Sequence, residues 1–167
     1  MVEEPPGREL DFESFFREEH PRVFRLAYLL SGDRAEAADV AQEALARALE
    51  RWDRVRAMAS PGGYVVRTAV HLHHRRLRGL RLRSREAEAA RDTADGDPAA
   101  RAVAKSDVMR ALLALPVGQR QALVLTEWLG LSSAEAGRAL GIRPSSVRAR
   151  VHRARAGFKE ALGEGYE

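Results

Sequence analysis

The sequence contains no cysteine at any of its 167 positions. It therefore has no disulfide framework, no thiolate ligand for zinc and no cysteine nucleophile. No glycine-rich phosphate loop is present, and no serine occurs in a recognisable order with a base and an orienting acid. Because these motifs are absent, the sequence gives no support to an enzymatic function. We expect no catalytic residue, no metal, no cofactor and no small-molecule substrate.

Long apolar runs are missing as well. No segment approaches the roughly 20 residues that a membrane span needs, and the N-terminus is acidic, unlike a secretory signal. We therefore expect a cytoplasmic protein with no membrane span. Aromatic residues make up only 6% of the chain. The period-two alternation of a β-strand is absent, while apolar residues recur at three- and four-residue steps, which predicts an all-α fold.

The charges are segregated, although the formal net charge is only +4. Residues 67–85 contain seven arginines and no acid, and residues 107–162 contain nine Lys/Arg against four Asp/Glu. Residues 1–19 hold seven acids against two arginines. Two separate basic zones indicate two contacts with nucleic acid.

The most informative pattern lies between Leu131 and Phe158. Ser132 and Glu135 have the spacing of a capping box, which predicts the start of a short helix. Gly141 is placed to end that helix in a left-handed conformation, and Pro144 suits the first turn of the next helix. This order of signals is typical of a DNA-reading helix-turn-helix.

The second helix of this pattern separates apolar from basic residues. Its predicted buried stripe consists of Val147, Val151, Ala154 and Phe158. Five basic residues lie off that stripe: Arg148, Arg150, His152, Arg153 and Arg155. A basic helix of this kind fits the major groove of DNA.

Residues 84–105 have no large apolar side chains to bury around Gly96 and Pro98, so they predict a flexible linker. The predicted architecture is two small helical domains joined by this linker. The boundaries are an acidic N-terminal tail over 1–10, a first domain over 11–83, the linker over 84–105, a second domain over 106–162 and a C-terminal tail over 163–167.

Helix boundaries follow from proline and capping signals. Pro21 is expected to break or bend a first helix over Asp11–Leu30, and a second helix is expected over Arg34–Trp52. A third helix is expected to start at Pro61. In the second domain, Pro116 ends the first helix and a further helix follows from Gln119 to Gly130. Trp52 and Trp128 end apolar stripes and are expected in the core.

Asp39, Gln42 and Glu43 occur at i, i+3 and i+4 of the second helix, so they share one face. Arg47 lies four residues after Glu43 and can offset its charge. An acidic face does not suit DNA, and it indicates either an ordinary solvated surface or a docking site for a basic protein partner.

Three segments together resemble the extracytoplasmic-function (ECF) sigma factors of the sigma-70 family, and within them the actinobacterial SigE-like group. They read DRAEAADVAQEALARALERW over 33–52, SPGGYVVRTAVHLHHRRLR over 60–78, and LPVGQRQALVLTEWLGLSSAEAGRALGIRPSSVRARVHRARAGF over 115–158. The first domain is similar to sigma region 2 and the second to sigma region 4.

The resemblance implies a promoter-selecting subunit of RNA polymerase. Region 2 would dock on the β′ clamp helices of core polymerase through Asp39, Gln42 and Glu43. Region 4 would also contact the β flap, and many such proteins are held by an anti-sigma factor. The residues implied to read and open the −10 element are Tyr64, Arg67, His71, His74, Arg75 and Arg78. Those implied to read the −35 element of promoter DNA are Arg143, Ser145, Ser146, Arg148, Ala149, His152 and Arg153.

His71 stands where many ECF proteins carry asparagine, which leaves the preferred −10 base open. His71 and His74 are spaced for co-ligation of a metal, but no nearby carboxylate or cysteine completes a site, so we favour a basic nucleic-acid face.

Two alternatives to a sigma factor stay open. One is a stand-alone helix-turn-helix regulator, which predicts a dimer on palindromic half-sites. The other is a decoy that binds polymerase without initiating.

Overall fold

The computed structural model describes residues 11–90 and 106–163, with side chains through residue 84 in the first range. The predicted tail over 1–10, residues 91–105 of the predicted linker and residues 164–167 lie outside the described residues. Within the described ranges every regular element is helical. The prediction of two small all-α domains is confirmed.

The first domain consists of four helices: α1 Phe12–Ser31, α2 Arg34–Glu50, α3 Trp52–Arg56 and α4 Pro61–Ala90. Asp11 caps α1 by accepting a hydrogen bond from the Ser14 amide at 2.9 Å. Gly32 ends α1 in the left-handed region (φ 68°), and Asp33 caps α2. The core between α1, α2 and α4 is formed by Val23, Leu26, Leu30, Val40, Leu45, Val65, Val66 and Ala69.

Pro21 does not break α1, so that part of the prediction was wrong. Phe15 on one side of the proline and Val23 and Leu26 on the other are buried in the same core. Their burial outweighs the loss of one hydrogen bond within the helix.

The second domain contains α5 Asp107–Ala114, α6 Val117–Leu123, a π-helical turn Val124–Trp128, α7 Ser133–Leu140 and α8 Pro144–Leu162. The helix predicted from Gln119 to Gly130 is therefore α6 followed by the π-helical turn. The core is lined by Met109, Leu112, Leu123, Val124, Leu125, Ala136, Val147 and Val151.

The two tryptophans differ. Trp52 is half-buried and packs on Phe12 and Phe15, with ring centroids 5.2 and 4.9 Å away. Trp128 is 39% exposed and meets Phe158 edge-on at 6.2 Å. Its expected place in the core was wrong: Val124 and Leu125 at the start of the π-helical turn are buried, whereas Glu127 and Trp128 at its end are exposed.

The domains contact one another. Helix α4 packs against α7, and α1 lies against α5, α6 and the π-helical turn. The Gln121 side-chain amide donates a hydrogen bond to Nε2 of His74 across this contact at 2.6 Å. None of the helices in the described part of the chain is both long and apolar enough to cross a membrane.

Candidate nucleic-acid and partner interfaces

The turn between α7 and α8 has the geometry that its sequence predicts. The Ser132 amide donates to Oε2 of Glu135 at 2.8 Å, and the Glu135 amide donates to Oγ of Ser132 at 3.2 Å, which completes a capping box. Gly141 is left-handed, with φ 67° and ψ 33°. A Cβ on Gly137 would lie 2.7 Å from the Ile142 carbonyl oxygen. This close backbone approach fixes α7 against the start of α8.

Helix α8 starts at Pro144 without a side-chain cap. Instead, the carbonyl of Arg143 accepts hydrogen bonds from the amides of Ser146 and Val147 at 2.9 and 3.1 Å. Arg143 and Ser145 are exposed and Ser146 is half-buried. The first turn of α8 therefore presents two serine hydroxyls at the positive end of a helix, which suits a phosphate oxygen.

The exposed face of α8 carries most of the candidate −35 residues. Val147, Val151 and Ala154 are buried. On the opposite side an arc of about 140°, at 100° per residue, holds five exposed side chains: Ser145, Arg148, Ala149, His152 and Arg153. The five span about 12 Å along the axis, and the small Ala149 among them leaves room for a base edge. We call this arc, with Arg143 and Ser146 beside it, the −35 face.

Two further basic residues of α8, Arg150 and Arg155, have protein contacts. Arg155 forms an ion pair with Glu127 of the π-helical turn at 2.5 Å. Arg150 is half-buried, and a Cβ on Gly118 would lie 2.9 Å from its Nη1 atom. The exposed basic groups of the −35 face are therefore Arg143, Arg148, His152 and Arg153.

Helix α4 presents the second basic surface. Ser60 begins it by accepting a hydrogen bond from the Gly63 amide at 3.1 Å. The six candidate −10 residues share an arc of about 100° that extends about 21 Å along the helix, and we call this arc the −10 face. Its members are Tyr64, Arg67, His71, His74, Arg75 and Arg78.

A groove between α2 and α4 reaches the −10 face. Its volume is about 650 Å³, and Tyr64, Arg67 and His71 line its α4 side. On the other side the lining includes Glu43, Arg47 and Glu50 of α2 and Arg51, which follows that helix. A flat ring beside cationic and hydrogen-bonding groups is an arrangement that holds an unpaired base and its phosphate.

His73 lies on the buried side of α4 and is 1% exposed. Its Nδ1–H donates to Oε1 of Glu36 at 3.2 Å, since a carboxylate oxygen only accepts. Burial lowers the pKa of His73, although the Glu36 carboxylate opposes that shift. His73 is therefore a neutral core residue that joins α4 to α2. Among the described residues, no group of three or more His, Cys, Asp or Glu side chains is placed to hold a metal ion.

Asp39, Gln42 and Glu43 lie on α2 as their spacing predicts, and we call this set the acidic face. The Asp39 side chain is 67% exposed and that of Glu43 is 41% exposed. Arg47 pairs with Glu43 at 2.5 Å. Arg76 of α4 approaches both acids, at 3.6 Å from Asp39 and 3.9 Å from Glu43.

Sequence reasoning did not single out Arg76 or Gln121. Arg76 follows Leu72 by four residues and so lies on the core side of α4, a signal that its neighbouring arginines obscured. Gln121 follows Gln119 and Arg120 and directly precedes the apolar run that starts at Ala122, and it is 2% exposed. No local signal in the sequence distinguishes it from Gln119, and its partner lies 47 residues away.

Two family models match this arrangement. The model for sigma-70 region 2 matches residues 15–83, and the model for sigma-70 region 4 matches residues 105–156. The acidic face and the −10 face lie in the first match, and the −35 face lies in the second. The class is therefore a sigma-70-type transcription factor built from regions 2 and 4.

Relatives and solved structures agree with this class. The chain is 32% identical over 158 residues to the ECF RNA polymerase sigma factor SigM of Mycobacterium tuberculosis, covering 94% of this chain and 80% of the relative. It is 29% identical over 156 residues to an RNA polymerase sigma-E factor of Streptomyces avermitilis, covering 93% and 87%. The fold resembles the sigma factor RpoE of Bartonella quintana, solved with the anti-sigma factor NepR, with a TM-score of 0.73, 23% identity and coverage of 93% and 98%. The chain belongs to the ECF sigma factors.

Proposed function

We propose that this chain binds core RNA polymerase and directs it to promoters. The acidic face docks on the β′ clamp helices, the −10 face reads and opens the −10 element, and the −35 face enters the major groove of the −35 element. Region 4 also contacts the β flap. Such a protein acts in the cytoplasm, where the polymerase and the chromosome are.

The observation that carries this proposal is the distribution of charge over the two sigma regions. Each region presents one exposed basic face on a single helix, and the acidic face lies on a different helix, α2. Arginine forks can read guanine edges or hold phosphates, while a basic protein helix is attracted to exposed carboxylates. One acidic and two basic faces match one protein partner and two DNA elements.

An anti-sigma factor is a further proposed partner. Three solved structures that this fold resembles with TM-scores of 0.62 to 0.73 are described as complexes containing NepR or CnrY. The first of them is described as a sigma factor with its anti-sigma factor. Co-purification of the tagged chain from its source organism tests this part of the proposal, with an Asp39→Arg variant run alongside to separate polymerase from other partners.

Run-off transcription tests the main proposal. Actinobacterial core polymerase, with and without the chain, transcribes a fragmented genomic library, and we expect new discrete start sites with shared upstream elements. Co-elution with core polymerase but no new start sites would instead establish the decoy. Failure to do either, with dimer binding to palindromic DNA, would establish the stand-alone regulator.

A further inference from the structure

Arg47 lies between the acidic face and the groove that reaches the −10 face. Its Nη2 atom is 2.5 Å from Oε1 of Glu43, so the two side chains form an ion pair one turn apart on α2. Both residues also line the groove, whose α4 side carries Tyr64 and His71. The Arg47 side chain is 38% exposed. Arg47 therefore has a partner on the acidic face and, at the same time, access to whatever enters the groove.

The Glu43 carboxylate has an arginine near each of its two oxygens. Arg47 approaches Oε1, and Arg76 of α4 approaches Oε2 at 3.9 Å. The Glu43 side chain is still 41% exposed, so a basic partner can reach it. Such a partner competes with Arg47 for Glu43, because a carboxylate that is already paired attracts a further cation less strongly.

The groove carries charges of both signs in the free chain. Three arginines line it, Arg47, Arg51 and Arg67, together with two carboxylates, Glu43 and Glu50. The phosphates of a DNA strand are attracted to the arginines and repelled by the carboxylates. A basic partner on Glu43 would neutralise one of the two carboxylates and would release the guanidinium of Arg47. The groove would then attract DNA more strongly than it does in the free chain.

We propose that Arg47 is a further DNA-binding residue of region 2, which binds a phosphate of the unpaired −10 strand, and that its ion pair with Glu43 keeps it from DNA until core polymerase docks. An arginine fork suits a phosphate oxygen, and the ring of Tyr64 in the same groove suits the adjacent base. Binding free energies are reciprocal, so DNA bound by Arg47 in turn leaves Glu43 free for the polymerase. This inference rests on the proposed function.

Binding of single-stranded DNA to the full chain without polymerase tests the ion pair directly. The probe is a short fluorescent oligonucleotide with the non-template sequence of a −10 element mapped by run-off transcription. Glu43→Gln removes the partner of Arg47 and should tighten binding of the probe about two- to fivefold, the range expected for a surface ion pair. Glu50→Gln removes the same charge from the same groove and is the matched control, for which we expect a smaller gain.

Adding Arg47→Ala to each protein separates the ion pair from net charge. In the Glu43→Gln protein, Arg47 is free to bind the probe, so its loss should weaken binding more than it does in the wild-type or Glu50→Gln proteins. An equal loss in all three proteins would show that net charge alone sets the affinity, and it would overturn the inference. Circular dichroism of each variant must first show native helix content.

Holoenzyme measurements test the release of Arg47 by the polymerase. Arg47→Ala should strengthen the binding of core polymerase about two- to fivefold, because Glu43 loses a competitor, and should weaken the binding of the holoenzyme to the −10 element by a similar factor. Arg51→Ala removes a guanidinium from the same groove but leaves the pair between Glu43 and Arg47 in place. It should therefore weaken binding to the −10 element without strengthening the binding of core polymerase.

The signs of the two effects of Arg47→Ala decide the outcome. A fall in both affinities would indicate a structural role for Arg47, and unchanged binding to the −10 element would show that Arg47 does not contact DNA. Either result would overturn the inference while leaving the proposed function intact, provided that the wild-type holoenzyme initiates at its promoters. If the wild-type holoenzyme binds DNA without regard to the −10 sequence, the proposed function has failed and the inference fails with it.

Discussion

Arg76 is the residue that joins the two proposed activities of region 2. It extends from α4, which carries the −10 face, to Asp39 and Glu43 on α2, at 3.6 and 3.9 Å. These are surface ion pairs, so each contributes little to folding. Their effect on the binding of a protein partner is larger than their effect on folding, because Arg76 competes with a basic partner for the carboxylates of Asp39 and Glu43.

Replacing Arg76 with alanine should therefore strengthen core binding two- to fivefold, as expected for the loss of about 0.5–1 kcal/mol of competing surface attraction. The affinity of labelled protein for core polymerase measures this effect. Arg81→Ala removes the same charge from an exposed position farther along α4 and is the control. An equal gain in both variants would show that net charge, rather than the ion pairs, sets the affinity.

His73 makes stability depend on pH. Burial lowers the pKa of His73 in the folded chain below its usual value near 6.5, with Arg120 and His74 adding to the shift and Glu36 opposing it. The unfolded chain therefore binds a proton more readily than the folded chain, so this residue lowers the free energy of unfolding as the pH falls below about 6.5.

Urea unfolding between pH 5 and pH 8 tests this dependence. We expect His73→Gln to flatten the loss of stability below pH 6.5 relative to the wild-type protein. His71→Gln, on the exposed side of the same helix, should retain the wild-type slope. If His73→Gln also retains that slope, another group causes the acid sensitivity.

At the scale of elements, the α7–α8 turn depends on Gly137. Its Cβ in a Gly137→Ala variant would approach a backbone oxygen at 2.7 Å, and backbone cannot yield as a flexible side chain can. We expect a loss of roughly 1–3 kcal/mol in the free energy of unfolding. Gly79→Ala in α4 is the contrast, because its Cβ meets only the end of Arg83 at 3.9 Å. That variant should gain about 0.5–1 kcal/mol of helix stability, and chemical denaturation measures both.

A substitution on the −35 face of α8 should affect DNA binding without affecting the binding of core polymerase. Arg148→Ala removes an exposed guanidinium from the −35 face. If Arg148 binds a base edge with both of its fork donors, its loss should weaken the binding of the holoenzyme to the −35 element by about 1–3 kcal/mol. Holoenzyme binding to promoters with intact and altered −35 elements measures this loss. Arg155→Ala is the control, since Arg155 pairs with Glu127. Weakened core binding by Arg148→Ala would contradict the assignment.

The elements themselves could be predicted because their signals are local. The capping box at Ser132, the left-handed Gly141 and the proline start at Pro144 all lie within 13 residues and appear in the structure as predicted. The unbroken course of α1 through Pro21 could not be predicted, because it depends on burial against α2 and α4. The exposed position of Trp128 likewise depends on where the π-helical turn meets the surface.

For the whole molecule, the sequence indicated two domains and three candidate binding faces, one on each of α2, α4 and α8. These could be predicted because the spacing of apolar residues and the positions of charged residues can be read along the chain. It did not indicate the contact between the domains. Gln121 and His74 are 47 positions apart, and no periodic pattern relates α6 to α4. The contact between the domains is a property of tertiary packing, and it is visible only when both domains are placed together.

Domains of this size bury a smaller fraction of their surface than larger ones and are marginal alone. Because the two domains contact one another, each gains stability from the other, and the chain should unfold as one cooperative unit. We expect calorimetry of the wild-type protein to give equal calorimetric and van't Hoff enthalpies. Gln121→Ala should raise the ratio of the two above one, because loss of the His74 hydrogen bond lets the domains unfold separately, whereas Gln119→Ala should leave it unchanged. Two resolved transitions in the wild-type protein would instead mean that regions 2 and 4 unfold independently in solution.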